Sequence, residues 1–177
     1  MKKSFIAASA LALATFTCGA FASDGKIDFT GVIVDQGCDV TANSGQPVNL
    51  GQVAKSALPI VRSTAAATKF TIGLTNCPDN YKVAQISFDG TQIDNDNSVL
   101  ALSTEAVSGV EAASGVGIQI TEGAEQNVVK LYERTAEYDV TSGSATLDFT
   151  ARYIRLSDTE VKPGIANAVA NFSVHYN

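Results

Sequence analysis

Three cysteines (Cys18, Cys38, Cys77) and one histidine (His175) are the side chains of this chain best suited to metal, redox or nucleophilic chemistry. Their number and spacing do not assemble a catalytic site. His175 alternates away from the apolar face of its segment and has no evident nucleophile beside it, which argues against a Ser–His–Asp arrangement. Two cysteines and a histidine fall short of the four ligands of a structural zinc site. Gly115-Val116-Gly117 begins like a dinucleotide-binding turn, but residue 120 is Ile and the segment reads as strand. Asp94-Asn95-Asp96-Asn97 lacks the glycine and terminal glutamate of a calcium loop and reads as a polar turn. Asn171-Phe172-Ser173 matches a glycosylation pattern within a strand-like segment, an incidental match. These readings predict no enzyme activity, no cofactor and no metal.

The first residues read as an export signal. Lys2 and Lys3 precede a largely apolar run from Phe5 to Phe16, and Ala20-Phe21-Ala22 forms an A-x-A cleavage site. Residues 1–22 are therefore expected to be removed, leaving Ser23 as the first residue. Cys18 would leave with them, since Thr15-Phe16-Thr17 does not resemble a lipobox. No stretch is long enough to predict a membrane-spanning helix of about 20 residues.

The remaining 155 residues suit one domain. Without the two leader lysines, 10 basic side chains face 18 acidic ones, a net charge of −8. That balance argues against a nucleic-acid partner, because phosphate contacts need Lys and Arg. Cys38 and Cys77 remain, an even count in an exported chain, and are most simply read as a disulfide. Closing a loop of this length stabilises by about 4 kcal/mol in the chain-entropy model.

Short runs rich in Val, Ile, Thr, Phe and Tyr alternate with turn-like separators such as NSGQ, CPDN and TSGS. The expected strands are 29–40, 47–53, 69–77, 82–90, 98–103, 116–123, 127–133, 136–140, 145–156 and 165–176. Residues 56–68 hold at most a short helical or irregular piece. The pattern predicts an all-β sandwich of two sheets.

The two ends of the processed chain are the most specific signal. In SDGKIDFTG, Gly25, Ile27 and Phe29 share one face of a period-2 segment, and Lys26, Asp28 and Thr30 the other. In GIANAVANFSVHYN, Ala168, Ala170, Phe172, Val174 and Tyr176 share a face; Gly164 is 14th from the end and Tyr176 penultimate. With GVIVDQGCDV, LGQV, KFTIGLTNCP, SGVGIQI and LDFTARYI in order, the chain resembles subunits of chaperone–usher fimbriae, the type 1 major subunits above all.

That resemblance implies an incomplete immunoglobulin-like sandwich lacking its last strand, and a structural role in a surface fimbria. Residues 23–30 would be a donor strand carrying Gly25, Ile27 and Phe29, and 31–177 a single pilin domain. Gly25 is either a shallow point where the incoming strand meets the outgoing chaperone or part of a flexible leader. Gly164, Ala168, Ala170, Phe172, Val174 and Tyr176 would border a groove filled first by a periplasmic chaperone, then by another subunit delivered at an outer-membrane usher. Other copies of the chain and related subunits are the implied partners. The implied location is the cell surface, reached through the periplasm. The competing role is a minor tip or adaptor subunit, or an adhesive module, of the same system.

Overall fold

The computed structural model describes residues 30, 31, 33, 36–156 and 160–177. The expected leader, its expected cleavage site and the expected donor positions Gly25, Ile27 and Phe29 lie outside the described residues. Contacts divide the chain into residues 1–33 and 34–177, and the strands belong to the second unit.

Among the described residues ten strands follow in order: β1 (Asp39–Ala42), β2 (Thr64–Thr75), β3 (Val83–Asp89), β4 (Gln92–Ile93), β5 (Asp96–Leu100), β6 (Val116–Glu122), β7 (Asn127–Val129), β8 (Tyr138–Asp139), β9 (Ala145–Arg155) and β10 (Asn171–Tyr176). They form a seven-stranded sheet, β1-β2-β9-β6-β5-β4 with β7 also on β6, and a three-stranded sheet, β10-β3-β8. The named strands all pair antiparallel.

Period-2 alternation decides which side chains meet between the sheets. Phe70, Ile72 and Leu74 of β2 and Leu147, Phe149 and Ala151 of β9 turn inward against Ala84, Ile86 and Phe88 of β3. The facing aromatics interlock: Phe70 stacks on Phe149 at 5.4 Å, and Phe88 meets Phe149 edge-on at 5.2 Å. Such pairs contribute about 0.5–1.5 kcal/mol each beyond area burial.

Two glycines of the G-x-G triplet have packing roles. Gly115 takes φ +77°, and a Cβ on Gly117 would lie 2.5 Å from Val99 Cγ1. The acidic turn joins β4 to β5, with Asp94 and Asn95 at positive φ. Cys38 and Cys77 form the expected disulfide, with Cα atoms 4.2 Å apart.

Several expected elements differ. Of the expected strand 29–40, the described residues form strand only from Asp39, where β1 begins. β2 begins at Thr64, earlier than its pattern indicates, because a bulge between Ala65 and Thr68 lets it stay paired with β9. Residues 47–53 form no strand, and the terminal ladder starts only at Asn171. Both segments carry the alternation of strands, but no described strand lies between them to pair with.

Candidate functional site

Those two segments contribute the walls of a groove. Residues 42–51 line one side and 166–172 the other, with Phe70, Ile72, Phe88, Leu100, Ile118, Ile120 and Ala151 as the floor. The cavity measures about 570 Å³ and no charged side chain lines it. Val48 and Leu50 lean from one wall onto the core, and Ala168, Ala170 and Phe172 from the other. β10 pairs with β3 on one edge, and among the described residues no strand pairs with its other edge.

The tail alternates along its whole length. Ala168, Ala170, Phe172, Val174 and Tyr176 are half-buried, whereas Asn167, Val169, Asn171 and Ser173 are exposed. His175 is half-buried on the far face, its Nε2 2.8 Å from Ser87 Oγ. Tyr176 stacks on Tyr81 at 4.6 Å, and Tyr81 Oη donates to Gln36 O. The penultimate tyrosine is thus packed beside the disulfide.

Gly164 makes a close approach. A Cβ there would lie 2.5 Å from Glu111 O and 2.6 Å from Ala113 N. The neighbouring Ile165 exchanges backbone hydrogen bonds with Glu111 and Ala113, so the missing side chain lets the wall dock on that loop.

Beyond the first cavity the groove continues into a second compartment of about 410 Å³. Gly51, Tyr153, Ala166 and Asn167 line both. Tyr153 is a crossbar between them: from β9 its hydroxyl donates to Ala166 O at 3.1 Å, and burial pushes its pKa up. Lys55 and Lys162 line the second compartment. Lys55 Nζ is 2.5 Å from Glu160 Oε1, and this contact holds the Glu160 carboxyl below its ordinary pKa.

The sequence reading singled out the tail positions but not the opposite wall, Tyr153 or the two lysines. Val48 and Leu50 carried a signal, as alternate residues of an expected strand. Lys55 and Lys162 carried none, since only the fold brings them together.

An apolar floor between two walls, beside an edge of β10 that no described strand pairs with, can accept an extended segment whose alternate side chains point inward. The comparisons agree with that architecture. The Fimbrial protein family model matches residues 27–177. The probable major fimbrial subunit LpfA of Escherichia coli O157:H7 is 38% identical over 99% of this chain and 97% of its own length. Long polar fimbria protein A of Salmonella typhimurium is 36% identical over 99% of this chain and 97% of that relative. A chain from the structure of a chaperone–usher pilus, 24% identical, superposes with TM-score 0.65 over 88% of this chain and 96% of its own, and shows the same fold. An incomplete immunoglobulin-like sandwich with family membership across nearly its whole length, this chain belongs to the fimbrial protein family and is a structural subunit of a bacterial surface fimbria.

Proposed function

We propose that the subunit polymerises by donor-strand exchange, with residues 23–30 of one copy completing the groove of the next. The open groove beside the free edge of β10 carries this reading. An inserted strand would supply ladder hydrogen bonds, each contributing about 0.5–1.5 kcal/mol net. Ile27 and Phe29 would add roughly 1.5–3 kcal/mol each on full burial. This is strand addition to an exposed edge, with pockets for alternate side chains.

Before assembly the same surface is an aggregation hazard, an unpaired edge beside exposed core. A periplasmic chaperone that occupies the groove until an outer-membrane usher brings the next subunit would remove it. The mature chain would then begin at Ser23 and reach the cell surface through the periplasm. Its role is structural, with no catalytic step. A relative described as a probable major fimbrial subunit favours the rod over a minor adaptor.

The test is a synthetic SDGKIDFTG peptide added to the exported subunit. Raised thermal stability and blocked polymerisation are expected. A peptide that neither binds nor competes with assembly overturns the reading.

A further inference from the structure

The groove is not electrostatically uniform. Among the described residues the first compartment has no charged lining, whereas Lys55 and Lys162 both line the second and no carboxylate does. This is notable in a chain whose acids outnumber its bases. Lys55 already pairs with Glu160. Among the described residues Lys162 makes no ion pair within 4 Å, though its charge also acts on the Glu160 carboxyl, and its backbone is fixed by reciprocal hydrogen bonds with Ser114 at 3.1 and 3.2 Å. Two lysines share the one carboxylate of Glu160 among the described residues, so this end of the apolar groove keeps an excess of positive charge and is a place to read charge.

We propose that Lys162, assisted by Lys55, is a specificity-determining residue that takes Asp28 from the inserted segment of a second copy of this chain. This rests on the groove being completed by such a segment. A strand that extends the antiparallel sheet runs antiparallel to β10. Its N-terminal end then lies toward Tyr176 and its C-terminal end toward Ala166, where the second compartment opens. With Gly25, Ile27 and Phe29 inward, the outward charges are Asp24, Lys26 and Asp28. Asp28 is the charge nearest the C-terminal end, and the following outward residue, Thr30, is neutral. The pairing selects copies with an acid at this register, and attraction of opposite charges speeds encounter.

The experiment measures binding of fluorescent SDGKIDFTG to the full mature subunit and its Lys162→Glu variant, at low salt and in 1 M NaCl. Lys162 is exposed, so equal melting temperatures should confirm an intact fold. Native peptide should bind the variant about two- to fivefold more weakly, the range of an exposed ion pair. The Asp28→Lys peptide should be weakened equally on the native subunit and recover on Lys162→Glu. The differences should shrink in 1 M NaCl, where the screening length falls to about 3 Å. Binding indifferent to Lys162 and Asp28 overturns this inference and leaves the groove reading intact. Sensitivity at Asp24 in place of Asp28 overturns the assignment by reversing the strand. No binding to the native subunit overturns both.

Discussion

The hydroxyl of Tyr176 accepts a hydrogen bond from the Cys38 backbone N–H at 3.1 Å. The penultimate residue is thereby tied to the disulfide that joins β1 to the end of β2. A Cβ on Gly37 would lie 3.1 Å from the Tyr176 ring, so glycine there lets the ring approach. Tyr176→Phe should keep the stack on Tyr81 and lose the bond, at a cost of about 0.5–1.5 kcal/mol. Differential scanning calorimetry should show a melting temperature lower by a few degrees.

Phe172 faces the groove and lies 6.2 Å from Phe88, centroid to centroid. Phe172→Ser should cost about 3 kcal/mol, from lost packing and an added hydroxyl. Yield of the exported subunit and co-purification with the proposed chaperone should fall together. Ser173→Ala, on the exposed face, should stay within about 0.5 kcal/mol of the native protein. Equal losses from both would remove the distinction between the faces.

Gly164→Ala should push the wall off the 111–113 loop, because backbone atoms occupy the space a Cβ needs. The expected cost is about 1–3 kcal/mol. Hydrogen exchange should speed up at the Ala113 and Ile165 amides, which now bond across this contact. Unchanged protection there would show that the close approach is not required.

A mature chain beginning at Gly31 should still fold and keep the Cys38–Cys77 bridge, because the deleted segment is read as serving a neighbour. It should accept SDGKIDFTG and fail to donate to another copy. Mass spectrometry after alkylation reports the bridge, and electron microscopy reports fibres. Loss of the fold on truncation would make 23–30 a strand of its own sandwich.

Asp96 accepts hydrogen bonds from Ser98 N at 2.9 Å and Ser98 Oγ at 2.5 Å, with Arg62 Nη1 at 3.1 Å. These contacts, Ser98 foremost, hold its carboxyl below the ordinary pKa. A depressed folded pKa contributes stability above the unfolded value of about 3.9 and loses it as pH falls through the folded value. The site is solvent-screened, so Asp96→Asn should cost no more than about 0.5 kcal/mol at pH 7. The gap between the two melting curves should close as pH drops below about 4.

Much of the sandwich was legible because alternation is a local property. β3, β6 and β9 lie within their expected runs, since inward residues such as Ile86, Ile120 and Phe149 recur at period 2 between clear turns. The disulfide followed from an even cysteine count in a chain read as exported. The faces of the tail could likewise be assigned from spacing alone, Phe172 and Val174 to one side and Ser173 to the other.

Tertiary structure decided what alternation cannot, namely which strands have neighbours. Residues 47–53 and 165–170 have strand-like patterns, yet a ladder needs a partner, and the described chain places none between them. The same absence makes the groove. Early pairing of Thr64 with Ile154, the backbone contact at Gly164 and the crossbar from Tyr153 to Ala166 all depend on distant segments meeting. Lys55 and Lys162 are far apart in sequence with no shared period, and only the folding of both segments around Tyr153 brings their charges to one compartment.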